Sequence, residues 1–345
     1  MLKVSLTDEL RKNVVYVGLD YHQAFVQVCV MDADGNVWKN RRCASTVSAV
    51  RQAVDLLLPR GTAVQAAIEA CNGAADFAEK LVATGWQVSL AHATYVHKLK
   101  RSPDKTDWSD AQMLADLTRV GYLPKVWLPP RELRQLRHVV RRRQQLAERR
   151  RTAKQRVTAL LRAERVEFTG SRWTKAWIKA VRNCVDLGEQ GRWVVNELLD
   201  EALEVQQQLD RTEARLEELT RDDPLVKHLR CHRGVGLVTA VTLRAEWGTM
   251  TRFRSGKQLA RFCALSPRNA SSGKKQADAG VIQAGNRELR RVLIETSHRL
   301  MRCDVRWQTL GQSLKARGKK TNVAAVAVAN RWVRWLYHQL KTLGV

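Results

Sequence analysis

The chain has 345 residues, 44% hydrophobic and 27% charged, which is enough apolar material for two or three domains with real cores. Lysine and arginine number 60 against 34 acidic residues, a formal charge of +26, so a polyanionic partner held through counterion release is expected. No apolar run reaches membrane-spanning length, the first dozen residues mix Lys3, Asp8, Glu9 and Arg11, and seven scattered cysteines offer no Cys-x-x-Cys pair; a membrane span, a signal segment and a disulfide framework are not expected, and a cytoplasmic protein is.

Val14 to Leu19 form an apolar run ending on Asp20, and Phe25 to Met31 read as a second strand. Asp32-Ala33-Asp34-Gly35-Asn36 is a hairpin turn signal, because Gly and Asn tolerate positive φ, and a third strand follows around Val37 to Cys43. A helix over Val47 to Leu58 stops at Pro59-Arg60-Gly61. Ala63 to Ile68 read as a buried strand delivering Glu69, Asp76 to Ala83 as a helix capped by Gly85, and Trp86 to Leu90 as another strand. After Pro103 a helix begins with Asp107 in its first turn and Asp104 as its candidate cap.

Three meandering strands, a helix, then alternating strand and helix is a ribonuclease-H-like order, with the first strand central and the fourth beside it. Asp20 and Glu69 then stand at neighbouring strand ends, while Asp107 and Asp110, three apart, share a helix face. Singly, each acid is an ordinary turn or cap residue. Jointly they suit a divalent-metal site for phosphoryl transfer, since hard cations take oxygen ligands and two-metal sites clamp attacking and leaving oxygens.

Beyond Pro129-Pro130 the composition changes. Arg131 to Arg165 read as a long basic helix carrying Arg141, Arg142, Arg143, Arg149 and Arg150, broken near Gly170. In the next long helix Leu198, Ala202, Val205, Leu209, Thr212, Leu216 and Leu219 alternate spacings of four and three, a coiled-coil seam either between these two helices or between subunits. Asp222-Asp223-Pro224 ends it. Gly234-Val235-Gly236 then joins two apolar helical stretches, Leu225 to Leu229 and Leu237 to Leu243. This is either a helix-hairpin-helix element whose Gly234 and Gly236 let backbone amides approach phosphate, or a plain helical corner.

Ser266-Pro267-Arg268-Asn269-Ala270-Ser271-Ser272-Gly273-Lys274-Lys275 sets a serine pair among Arg268, Lys274 and Lys275, as a phosphate-binding loop or as a nucleophile in a positive field; it lacks Walker spacing. Arg287, Arg290 and Arg291 sit at a helix start as phosphate clamps or as a solvated face. His228-Leu229-Arg230-Cys231-His232 has no second half at zinc-finger spacing, so no zinc site is expected. Trp173, Trp177, Trp307, Trp332 and Trp335 lie among basic residues, where stacking on bases and core packing are both open.

Val-Gly-Leu-Asp20, Ile-Glu69-Ala, Lys-Thr-Asp107-Trp-Ser-Asp110-Ala, the Gly-Val-Gly hairpin and Leu-Ser-Pro-Arg-Asn-Ala-Ser-Ser272-Gly together resemble the insertion-sequence-110 family of DEDD transposases, the bridge-RNA-guided recombinases, over nearly the whole chain. The resemblance implies a RuvC-like domain at 1–128, a basic helix and coiled-coil linker or oligomerisation region at 129–223, and a mostly helical transposase domain at 224–345. It implies Mg2+, with Mn2+ able to substitute, on Asp20, Glu69, Asp107 and Asp110. Ser272, or its neighbour Ser271, is implied as the nucleophile that forms a covalent phosphoserine. The implied partners are target and donor double-stranded DNA, a structured guide RNA and further copies of the chain, as a dimer or tetramer in which acids of one copy meet the serine of another. Ala264-Leu265-Ser266-Pro267 departs from the family's frequent Gly-Leu-Thr-Pro. A water-using RuvC-like nuclease or junction resolvase and a non-catalytic nucleic-acid-binding protein are the alternatives.

Overall fold

A computed structural model of the chain describes residues 13–59, 61–99, 106–269, 278–282 and 285–344. It divides into two compact units, 1–131 and 132–345.

The first unit is a mixed α/β layer. Its elements are β1 (Val14–Tyr21), β2 (Phe25–Met31), β3 (Val37–Ala44), α1 (Val47–Asp55), β4 (Ala63–Glu69), α2 (Ala74–Val82), β5 (Gln87–Ala91), α3 (Ala93–Leu99), α4 (Asp107–Arg119) and β6 (Lys125–Val126). The sheet order is β3-β2-β1-β4-β5-β6, with β4 parallel to β1 and to β5 and the remaining pairs antiparallel. β1 is thus interior and β4 lies beside it, as the element order requires. The two-residue β6 carries too short a pattern to be read from sequence.

Strand alternation sorts the side chains between two faces. Val15, Val17 and Leu19 of β1, with Val26, Val28 and Val30 of β2, pack on Val50 and Val54 of α1 and Phe77 and Leu81 of α2. The opposite face belongs to α4: Ala111 and Ala115 rest on Cys29 and Met31, and Leu114 on Ala67 and Ala91. Burial on both faces explains the nearly continuous apolar run of β2. The helix after β3 is shorter than its pattern indicates: it ends at Asp55, Leu56 is exposed, and Leu57 and Leu58 reach the core from a tighter turn in which their amides bond to the carbonyls of Val54 and Asp55.

The second unit is mostly helical. Two long helices, α5 (Arg131–Ala163) and α7 (Gly188–Thr220), run antiparallel with the short α6 (Lys175–Arg182) against them. Leu146 packs on Val205 and Leu209, while Val157 and Leu161 pack with Val195 and Leu199, so rising numbers on one helix meet falling numbers on the other. The seam therefore joins these two helices within one chain. At its end it passes through Leu216 and Thr220, and Leu219, expected in the seam, is exposed. The rest comprises α8 (Pro224–Arg230), α9 (Leu237–Trp247), α10 (Gly256–Phe262), a β7 (Pro267–Asn269) and β8 (Asp278–Val281) hairpin, α11 (Arg287–Cys303), α12 (Val305–Ala316) and α13 (Thr321–Thr342). Trp332 and Leu336 of α13 are fully buried, and Tyr337 donates its hydroxyl to the carbonyl of Phe253.

Candidate functional site

Asp20 ends a row that crosses three strands: it is in register with Gln27 of β2, and Gln27 with Arg42 of β3. On its other side Leu19 pairs with Ile68, so Glu69 stands at the next step of the parallel ladder. Both acids lie on the face covered by α4.

What lets α4 come close is Gly18. A Cβ at that position would stand 1.8 Å from the carbonyl oxygen of Ala111 and 2.7 Å from the amide nitrogen of Ala115, so any side chain there would collide with the helix backbone. Thr106, and not Asp104, is the N-cap: its hydroxyl accepts the amide of Ser109 at 3.2 Å, which puts Asp107 and Asp110 in the first turn, where the helix dipole favours carboxylates. A chain of amides fixes the turn to the sheet. Buried Gln27 donates to Asn40 at 2.6 Å, and Asn40 donates to the carbonyl of Trp108 at 2.9 Å.

Asp107 divides its two oxygens. Oδ2 accepts from Arg42 at 2.6 Å, and Oδ1 lies 3.6 Å from Nε2 of His22. The same nitrogen lies 3.3 Å from Oδ2 of Asp20. One donor atom each from Asp20, His22 and Asp107 falls within 4.8 Å of the others, a grouping suited to a metal ion. The His22 ring stacks on Phe25 at 4.6 Å, and the Arg42 guanidinium lies 4.4 Å from the centre of that ring. Burial pushes the Asp20 carboxyl above its ordinary value; His22 pulls it back, and the negative charges of Asp110 and Asp107 raise it further. Glu69 and Asp20 likewise add to the burial that raises the Cys71 thiol, which locates Cys71 at the edge of the acids. Sequence reasoning missed His22 and Arg42. His22 follows Asp20 by two residues but lies just past the end of β1, in the turn to β2, and Arg42 is visible only once the β2–β3 register is known.

The remaining candidates are dispersed over the second unit. Ser271, Ser272, Lys274 and Lys275 lie outside the described residues, as does Asp104. Arg268 is exposed on β7. On α5, Arg142 donates to Gln208, Arg143 pairs with Glu213 at 2.8 Å, Arg149 with Glu201 at 3.3 Å, and Arg150 with Gln206. Arg141 lines an open groove with Arg151, Arg287 and Arg291. At the start of α11, capped by Asn286, Arg290 donates to the carbonyl of Ile282 and Arg291 pairs with Glu288 and Glu295. Gly234 has a φ of 82°, its carbonyl accepts from Arg299 at 2.9 Å, and a Cβ there would press on Cys303 and Arg299, so packing accounts for this glycine. Gly236 is the N-cap of α9, with no side chain capping that helix. Trp177, Trp307 and Trp332 are core residues; Trp173 is half-buried beneath the Lys154 ammonium. His228 and His232 face each other, and among the described residues no third metal ligand joins them.

Comparison with known proteins matches both parts of the chain. A sequence model of the DEDD transposases of IS110 covers residues 17–164, and one described as transposase IS116/IS110/IS902 family covers 226–312. The y4qE protein of Sinorhizobium fredii is 28% identical over 262 residues, 68% of this chain and 64% of that relative. The transposase for insertion sequence element IS1111A of Coxiella burnetii is 26% identical over 332 residues, 93% of this chain and 88% of its own length. A Pseudomonas aeruginosa protein named "Probable family 20 transposase" is 27% identical over 340 residues, 94% and 96% of the two chains.

Proposed function

The chain belongs to the IS110 family of transposases, and from that premise we propose that it cuts and rejoins DNA strands for an insertion sequence, with a divalent ion on Asp20, Glu69, Asp107 and Asp110. The observation that carries the reading is the meeting of Asp20 from the end of β1 with Asp107 from the first turn of α4. The donor set fits a hard cation. Carboxylates crowd together there, burial and mutual repulsion raise Asp20, and Arg42 orients Asp107 by pairing with one of its oxygens. Magnesium is the proposed ion, with manganese as a substitute; bound there, it would neutralise charge at the transferring phosphoryl group and favour an ionised hydroxyl.

Arg42 holds one oxygen of Asp107, and the other faces His22. The Thr106 cap and the Gln27-Asn40 chain hold the turn that carries Asp107 and Asp110. Ser272 is the proposed nucleophile: its hydroxyl loses its proton to solvent, its oxygen bonds to the phosphorus, the bond to the departing strand's oxygen breaks and that oxygen takes up a proton, and the resulting phosphoserine retains the energy of the phosphodiester for rejoining without ATP. A ribonuclease-H-like, RuvC-like fold for the first unit, a structured guide RNA pairing with target and donor DNA, assembly as a dimer or tetramer, and action at the nucleoid of a bacterial cytoplasm complete the proposal. It is supported by the strand order β3-β2-β1-β4-β5 and by the charge of +26. Among the described residues, no helix is long and apolar enough to cross a membrane.

Ser272→Ala is expected to abolish covalent protein–DNA adducts, trapped under denaturing conditions, while leaving RNA binding intact. Adducts that survive would sink the assignment of this serine, and free ends without attached protein would favour water as the nucleophile.

A further inference from the structure

The acid centre includes a nitrogen donor that an all-carboxylate quartet does not account for. His22 presents Nε2 at 3.3 Å from Asp20 and 3.6 Å from Asp107. Neighbouring ligand atoms on an octahedral ion with bonds of about 2.1 Å stand about 3 Å apart, so the imidazole is spaced from each carboxylate much as neighbouring ligands of one ion are, and the three donor atoms lie within 4.8 Å of one another. The ring is held in that orientation by its stack on Phe25, and the carboxylate oxygen it faces is selected by Arg42, which occupies the other one.

We propose that His22 is a direct ligand of the divalent ion and strengthens manganese binding more than magnesium binding, which is what lets manganese stand in for magnesium at this centre. This rests on the reading above, that Asp20 and Asp107 hold such an ion. Magnesium takes oxygen donors and gives up its waters reluctantly, whereas first-row transition ions accept imidazole readily and manganese keeps the same octahedral shape. One imidazole among carboxylates therefore adds affinity for manganese that magnesium does not gain.

The test uses the full-length protein loaded with Mn2+ alone or Mg2+ alone. Electron spin-echo spectroscopy of the manganese form should show nitrogen modulation from a bound imidazole, and His22→Ala should remove it. In direct titrations the same substitution should weaken Mn2+ binding on the order of tenfold or more, the scale on which even the outer partners of a metal act, and leave Mg2+ within about twofold. Absent nitrogen modulation in the unsubstituted protein, modulation that persists in His22→Ala, or equal losses for both ions would overturn the ligand assignment. Asp20→Asn separates the two readings: it should remove binding of both ions, and unchanged binding would instead overturn the metal centre itself.

Discussion

In the N-terminal sheet, side chains from two strands, the turn after β1 and a helix meet at one point, whereas along α5 the densest arginine run in the chain is drawn apart by the helix it packs on. Asp20, His22, Arg42 and Asp107 are scattered in sequence and gather because strand alternation and one close helix leave them a single shared face. Arg142, Arg143, Arg149 and Arg150 are adjacent in sequence and yet turn to Gln208, Glu213, Glu201 and Gln206 of α7, so much of that charge stabilises the helical pair. Local density of a residue type is thus a poorer guide to chemistry than joint placement on a fold.

The contrast can be broken most forcefully at Gly18. Gly18→Ala should displace α4, lower stability by about 1–3 kcal/mol and remove most divalent-ion binding, as read by denaturant melts and calorimetry. Retention of both would mean that the acids do not depend on that close approach. Next is Arg42→Ala: ion affinity and strand cleavage should fall about ten- to a hundredfold, as for other outer partners of a metal, while unfolding stays within about 0.5 kcal/mol because the Arg42 side chain is largely exposed. On the other side of the contrast, Arg141→Ala should lower the salt dependence of nucleic-acid binding by about one counterion. Arg143→Ala should change that slope less and instead cost the helical pair up to about 1 kcal/mol; equal slopes would restore the whole run as a nucleic-acid surface.

The smallest effect is a dependence on pH. Asp20 is raised above its ordinary value by burial, so in the folded state it holds its proton more tightly than in the unfolded chain. Its contribution to stability therefore grows as pH falls through the raised value and is slightly unfavourable at neutral pH. Asp20→Asn should give a small rise in the ion-free melting temperature at neutral pH and flatten its acid dependence. Ion affinity, competing with that proton, should begin to fall above the usual carboxylate range. A lower melting temperature for Asp20→Asn would show that the ionised carboxylate is stabilised in the fold.

Asp20 and Glu69 were legible because an apolar run that ends in an acid shows itself in sequence, and the order of elements puts those two ends side by side. The spacing of Asp107 and Asp110 shows their shared helix face in the same way. Arg42 was not legible: its contact with Asp107 spans the β2–β3 register and the docking of α4, neither of which any local pattern encodes. The arginine run was visible but its role was not, since its partners lie half a hundred residues or more away on α7. The shift of the seam from Leu219 to Thr220 has the same origin, because spacings of three and four fit either residue until the facing helix is known.

What Gly18 meets across the gap is backbone, the carbonyl of Ala111 and the amide of Ala115, and not a side chain that could be trimmed. A second-site suppressor of a larger residue at Gly18 therefore cannot arise by shrinking a neighbour, as it can in an ordinary core. It has to relocate a whole helix, and with it two of the four acids. The spacing of this centre is accordingly closed to gradual adjustment from the β1 side and can be retuned only from the loops and caps that set the position of α4.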